Sequence, residues 1–63
     1  MDRLKDLREE KGFSQAQLGK ELGLSQTTIS QYERKTREPD IATIKKMCAF
    51  FNVTSDYLLG LEI

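Results

Sequence analysis

The stretch SQAQLGKELGLSQTTISQYER, Ser14 to Arg34, spells one helical grammar twice with almost nothing in between. Ser14 suits an N-cap, Gln17 stands three residues on as a capping box requires, and Phe13 can staple to Leu18. Gly23 closes that helix after Leu22. Ser25 then caps the next one, with Leu24 and Ile29 spaced as a second staple. Gly23 and Leu24 are nearly the whole connection, too short for two helices to lie antiparallel side by side. They must cross steeply, as a helix-turn-helix does.

Working outward, the rest of the chain is helical too. Leu4 and Leu7 give a first helix its inner face, and Gly12 ends it at a position suited to a left-handed cap. Asp40 caps a fourth helix directly after Pro39, the only proline, with an inner stripe of Ile41, Ile44, Met47, Cys48 and Phe51. Thr54 caps a fifth, Val53 and Leu58 staple it, and Gly60 ends it. Strand alternation is absent. These signals predict an all-α fold, a compact five-helix bundle. It forms one domain over 1–63, with the helix-turn-helix at about 14–34 and helices four and five at about 40–60.

Composition narrows the function classes. The chain has 63 residues, one cysteine and no histidine. So short a domain buries only about 60% of its extended surface and is stable by a narrow margin. Cys48 cannot form an internal disulfide and reads as a buried, inert thiol. Without histidine, the usual metal ligands and the commonest general base are missing. No Gly-rich phosphate loop is present, so neither an enzyme, a cofactor nor a metal is expected. No run approaches the roughly 18 apolar residues of a membrane span, and no signal peptide opens the chain. Ten basic and ten acidic residues cancel, so only the placement of charge can point to a polyanion.

That placement centres on helix three, about 26–34. At about 100° per residue, Thr28, Ile29, Tyr32 and Glu33 fall on an inward half. Gln26, Thr27, Ser30, Gln31 and Arg34 fall on the other. The outward half is mostly uncharged amides and hydroxyls in a charge-rich chain. DNA base edges in the major groove present mixed donors and acceptors, and glutamine matches adenine in a pair of hydrogen bonds. Gln26 and Thr27, at the N-terminus, lie where such a helix reaches deepest.

Phosphate contacts should flank this face. Gln15 sits in the first turn of helix two, where free N–H groups and the helix dipole favour an anion. Arg34, Lys35 and Arg37 follow helix three closely. From Ser14 to Glu33 the charges are only Lys20, Glu21 and Glu33, whereas Asp2, Asp6, Glu9 and Glu10 gather on helix one. Zero net charge can therefore hide a dipolar molecule with its acidic side turned from DNA. Glu38 and Asp40 weaken that segregation.

The segments LKDLREEKGFSQAQLGKELGLSQTTISQYERKTREPD and TIKKMCAFFNVTSDYLLG resemble the helix-turn-helix domain of the lambda repressor and Cro family, the Xre-like regulators. The S-Q-x-x-L opening, the central Gly, the I-S-x-Y-E ending and the D-Y-L-L-G close occur in order from Leu4 to Gly60. The resemblance implies a cytoplasmic, bacterial or phage-encoded transcriptional regulator, a repressor, that binds a two-fold symmetric DNA operator as a homodimer. It also implies that Gln15 positions the domain on phosphate, that Gln26, Thr27, Ser30 and Gln31 are the base-reading positions, and that Arg8 and Glu33 form a structural pair. Two residues depart from the pattern. Lys35 stands where the family often has Gly, and Gly19 where it commonly has Ala.

A single recognition helix touches too few base pairs for useful specificity. Phe50, Tyr57, Leu61 and Ile63 are candidates for a dimer interface, although Phe50 can equally pack back on its own domain. The chain reads either as a complete small repressor or as the DNA-binding part of a longer one. The alternative function is a protein-interaction module of repressor-like fold that acts on another regulator through helix five and the tail.

Overall fold

Side-chain oxygens start four of the five helices in the computed structural model, which describes residues 1–61. Ser14 Oγ accepts from the Gln17 N–H at 3.1 Å, while Gln17 Oε1 accepts from the Ser14 N–H at 2.7 Å, closing a capping box. Ser25, Asp40 and Thr54 accept from the backbone N–H of Thr28, Thr43 and Tyr57 in the same way. Each bond satisfies a donor that a helix N-terminus leaves free. Together with an uncapped first helix, the elements are α1 (Leu4–Glu10), α2 (Gln15–Leu22), α3 (Gln26–Glu33), α4 (Ile41–Phe51) and α5 (Ser55–Leu59).

All five helices also end alike. Gly12, Gly23, Lys35, Asn52 and Gly60 each follow a helix with positive φ. The next residue's N–H reaches back to the last turn in every case, for instance Leu24 to the Gly19 carbonyl at 2.7 Å and Thr36 to the Gln31 carbonyl at 3.0 Å. This is the Schellman arrangement, which satisfies stranded carbonyls while reversing the chain. At Lys35, φ 63 places a Cβ in a conformation that costs about 1 kcal/mol relative to glycine. The turn keeps the glycine geometry without the glycine.

The core draws on every helix: Leu4, Leu7, Leu18, Leu22, Ile29, Tyr32, Met47, Phe51 and Leu58 are buried together. Phe13, Leu24 and Val53, each immediately before an N-cap, pack against its edge, as do Ile44 and Cys48. Ile41 does not join them; it is 72% exposed. At about 100° per residue it stands at the margin of the stripe that Ile44, Met47 and Phe51 centre. As the first residue of α4 it also precedes the turns that reach the core.

α3 packs chiefly on α2 and touches α1, while α4 pairs with α5. The α2–α3 corner is set by a close backbone approach. A Cβ on Gly19 would lie 2.5 Å from the Leu24 carbonyl oxygen and 3.3 Å from its carbonyl carbon. Lys46 adds a hydrogen bond from Nζ to the Leu22 carbonyl at 3.1 Å, supporting the end of α2 from α4. The Arg3 N–H reaches the Leu58 carbonyl at 3.3 Å and closes the chain's start onto α5.

Helix propensity alone favours Gly19→Ala by about 1 kcal/mol. The crowded corner reverses that sign, so urea unfolding should show a loss of about 1–3 kcal/mol. A gain in stability would mean that the corner is not held this tightly.

Candidate nucleic-acid interface

Glu33 ends α3 with a carboxylate pointed inward, and three donor groups meet it. Arg8 Nε donates to Oε2 at 2.6 Å and Arg8 Nη2 to Oε1 at 3.1 Å, a two-pronged contact from α1. Gln15 Nε2 donates to the same Oε1 at 3.1 Å from the first turn of α2. Arg8 Nη1 is satisfied by the Phe13 carbonyl at 2.8 Å. Only 10% of the Arg8 side chain and 5% of the Glu33 side chain are exposed. Hydrogen bonding to Glu33 raises the Arg8 pKa further above its ordinary value, so the guanidinium is cationic throughout the working range. One cluster thus joins α1, α2 and α3, and it cancels an acid that would otherwise sit beside the outward face.

Gln15 is therefore held in place by the protein itself. One of its amide N–H groups is held by Glu33, and an amide carries a second N–H and an acceptor oxygen. The side chain is half-buried, at the start of an eight-residue helix whose free N–H groups face the same end.

On α3, Gln26 and Thr27 are exposed, and Ser30 and Gln31 are half-buried. None of the four is enclosed by the rest of the subunit. Thr28, Ile29, Tyr32 and Glu33 face the other way, with Ile29 and Tyr32 in the core. Thr28 Oγ1 shares a hydrogen bond with Ser25 Oγ at 2.8 Å, which ties the first turn of α3 to its cap. The face is an open surface, and no enclosed pocket forms among the described residues.

Beyond α3, Arg34, Lys35 and Arg37 are all exposed. Arg37 extends its guanidinium over the Tyr32 ring, 5.9 Å from the centroid. Lys35 is already engaged: its Nζ lies 2.6 Å from Asp2 Oδ1. That contact corrects the simple picture of an acidic helix-one side turned away, because Asp2 reaches round to the basic loop. Hydrogen bonding to Lys35, then its charge, lowers the Asp2 pKa below the ordinary carboxylate value.

The dimer candidates divide. Phe50 is half-buried against its own domain, 5.8 Å from the Phe13 ring centroid and 5.1 Å from that of Phe51. Tyr57 is half-buried beneath the Arg3 guanidinium at 4.3 Å. Leu61 is 65% exposed. Ile63 lies outside the described residues.

A sequence profile described as helix-turn-helix matches residues 4–58, most of the chain. The chain belongs to the Xre and lambda repressor-like helix-turn-helix family. It is 40% identical over 58 residues to the HTH-type transcriptional regulator ImmR of Bacillus subtilis, covering 92% of this chain and 46% of that protein. It is 38% identical over 61 residues to the HTH-type transcriptional activator BcrR of Enterococcus faecalis, covering 97% of this chain and 30% of that protein. This Xre-like chain thus spans half or less of the length of these relatives. Its fold matches a crystal structure of SinR, a master regulator for biofilm formation, in complex with DNA. The TM-score is 0.79 at 33% identity, over 90% of this chain and 92% of that one.

The contacts of Asp2 and Lys46 have no signature in the sequence. Their partners, Lys35 and the Leu22 carbonyl, are far along the chain, and no local pattern marks such contacts. Asn52 did carry a signal, since asparagine is the usual second choice to glycine for a left-handed cap.

Removing Glu33 while keeping Arg8 strands a charge just beneath the surface. Glu33→Ala should therefore lower stability by about 3 kcal/mol, the low end for a broken buried pair, measured by thermal or urea unfolding. Arg8→Met combined with Glu33→Leu should recover much of that loss. A double variant as unstable as Glu33→Ala would show that the cost is lost packing rather than a stranded charge.

Proposed function

We propose that this chain is the sequence-specific DNA-binding unit of a transcriptional regulator, placing α3 in the major groove and acting as a homodimer on a two-fold symmetric operator. The observation that carries this reading is the open, uncharged outward face of α3, held at a fixed angle by the Arg8–Glu33–Gln15 cluster. Gln26 and Thr27 lead into the groove, with Ser30 and Gln31 behind them on the same face. Their amides and hydroxyls offer the mixed donors and acceptors that base edges require. Gln15, Arg34, Lys35 and Arg37 bracket that face: Gln15 donates a hydrogen bond to phosphate, and the three cations neutralise it on the other side.

Size supports the dimer. The domain measures 30 × 23 × 19 Å, and successive half-sites on one face of DNA lie about 34 Å apart. One copy offers one recognition helix to one half-site, so a second copy is needed to read the other. Leu61, 65% exposed just after α5, leads the apolar residues proposed for that contact, with Tyr57, Phe50 and, by sequence alone, Ile63. No helix among the described residues is long and apolar enough to cross a membrane. The proposed setting is the cytoplasm of a bacterium, acting on its own or a resident phage's DNA. Occupancy of an operator that overlaps a promoter would repress by excluding polymerase.

Selection from a pool of random duplexes should yield a two-fold symmetric consensus, and no enrichment would overturn the proposal. On that consensus, Gln26→Ala should lower the ratio of specific to random affinity by about tenfold, the scale of one lost bidentate base contact. Equal losses on both duplexes would reassign Gln26 to the backbone. Arg37→Ala should weaken both duplexes alike and reduce the slope of log affinity against log salt by about 0.9. A base preference altered at one position would be the wrong result for a phosphate contact.

A further inference from the structure

The basic loop after α3 contains one residue that conflicts with its own backbone and is held by an acid from the other end of the chain. Lys35 occupies a left-handed position, φ 63, where glycine is the easier choice. Its ammonium is 2.6 Å from the Asp2 carboxylate. Asp2 is not simply hanging in solvent. Its side chain lies against Gly60 so closely that a Cβ there would be 2.6 Å from Asp2 Oδ2 and 2.8 Å from Asp2 Cβ. The next residue, Arg3, is anchored by its N–H to the Leu58 carbonyl and by its Nη1 to the Tyr57 carbonyl, each at 3.3 Å. The glycine that ends α5 thus leaves a seat, and the Arg3 anchors keep Asp2 in it.

A phosphate and this carboxylate would compete for the same ammonium. Resting on the reading that residues 34–37 meet the DNA backbone, we infer that Asp2 is a built-in competitor for phosphate at Lys35, holding down the domain's affinity for DNA of any sequence. Binding exchanges one anion for another at Lys35. The released carboxylate then recruits a cation from solution, so the exchange liberates fewer ions than a free lysine would. Both partners are more than half exposed, which keeps the exchange fast and its effect modest. Sequence preference is untouched, because the bases are read on α3 and not in the loop after it.

The test uses four forms of the chain: wild type, Asp2→Asn, Lys35→Ala and the double variant. Each is titrated with the selected operator and with a random duplex over a range of salt. Asp2→Asn should tighten both duplexes by about two- to fivefold and steepen the salt slope by up to about 0.9. In the Lys35→Ala background the same change should do nothing. Equal tightening in both backgrounds would overturn the inference, since Asp2 would then act only through its charge at a distance. Unchanged affinity in Asp2→Asn, with wild type still binding, would remove Asp2 alone. Failure of all four forms to bind any duplex would remove the DNA reading and this inference together.

Discussion

A buried carboxylate at the end of an eight-residue helix is the constraint on which the remaining geometry rests. Alone, α3 is too short to persist in water, and nothing in its own residues sets the direction in which it points. Glu33 settles both matters by requiring partners. Arg8 arrives from α1 with two parallel hydrogen bonds, and Gln15 arrives from α2 with one. A planar guanidinium matched to a carboxylate tolerates little rotation, so the helix is held in orientation as well as in place. The close approach of Gly19 to the Leu24 carbonyl fixes the other end. Between these two points the outward face has little freedom to roll.

The cluster also shapes the electrostatics. A free carboxylate beside Gln26 and Gln31 would repel phosphate, whereas a paired one leaves the face near neutral. In the proposed division, Gln15 and the cations that follow α3 supply binding strength, and the amides supply discrimination. Lys35 shows the tension in that division. It breaks the local rule for a left-handed turn, and Asp2 holds it from across the molecule. Departures from local consistency tend to collect at functional sites, and this one lies in the loop proposed to meet the DNA backbone.

Most of the architecture was legible because it is local. Ser14, Ser25, Asp40 and Thr54 announce helix starts within three residues of the donors they satisfy, and Gly12, Gly23 and Gly60 mark reversals. Periodicity alone places Glu33 inward, and the family resemblance supplies Arg8. Ile41 fits the periodic stripe yet is exposed, because a stripe says nothing about where a helix overhangs its core. Phe50 stayed ambiguous for a similar reason: its place depends on Phe13, on another element. Asp2 falls in sequence with the acidic residues of helix one, and nothing near it in the chain reveals Lys35 as its partner. Contacts that span the fold need the fold.

The outward side of α3, bracketed by Gln15 and residues 34–37, is the surface proposed to meet duplex DNA. Amide chemical shifts of the full chain, followed during titration with duplex, test it residue by residue. The largest changes should cluster at residues 15–17, 26–31 and 34–37, while Asp6, Glu9 and Glu10 on α1 stay still. Changes confined to α5 and Leu61, or spread over the acidic side of α1, would contradict it.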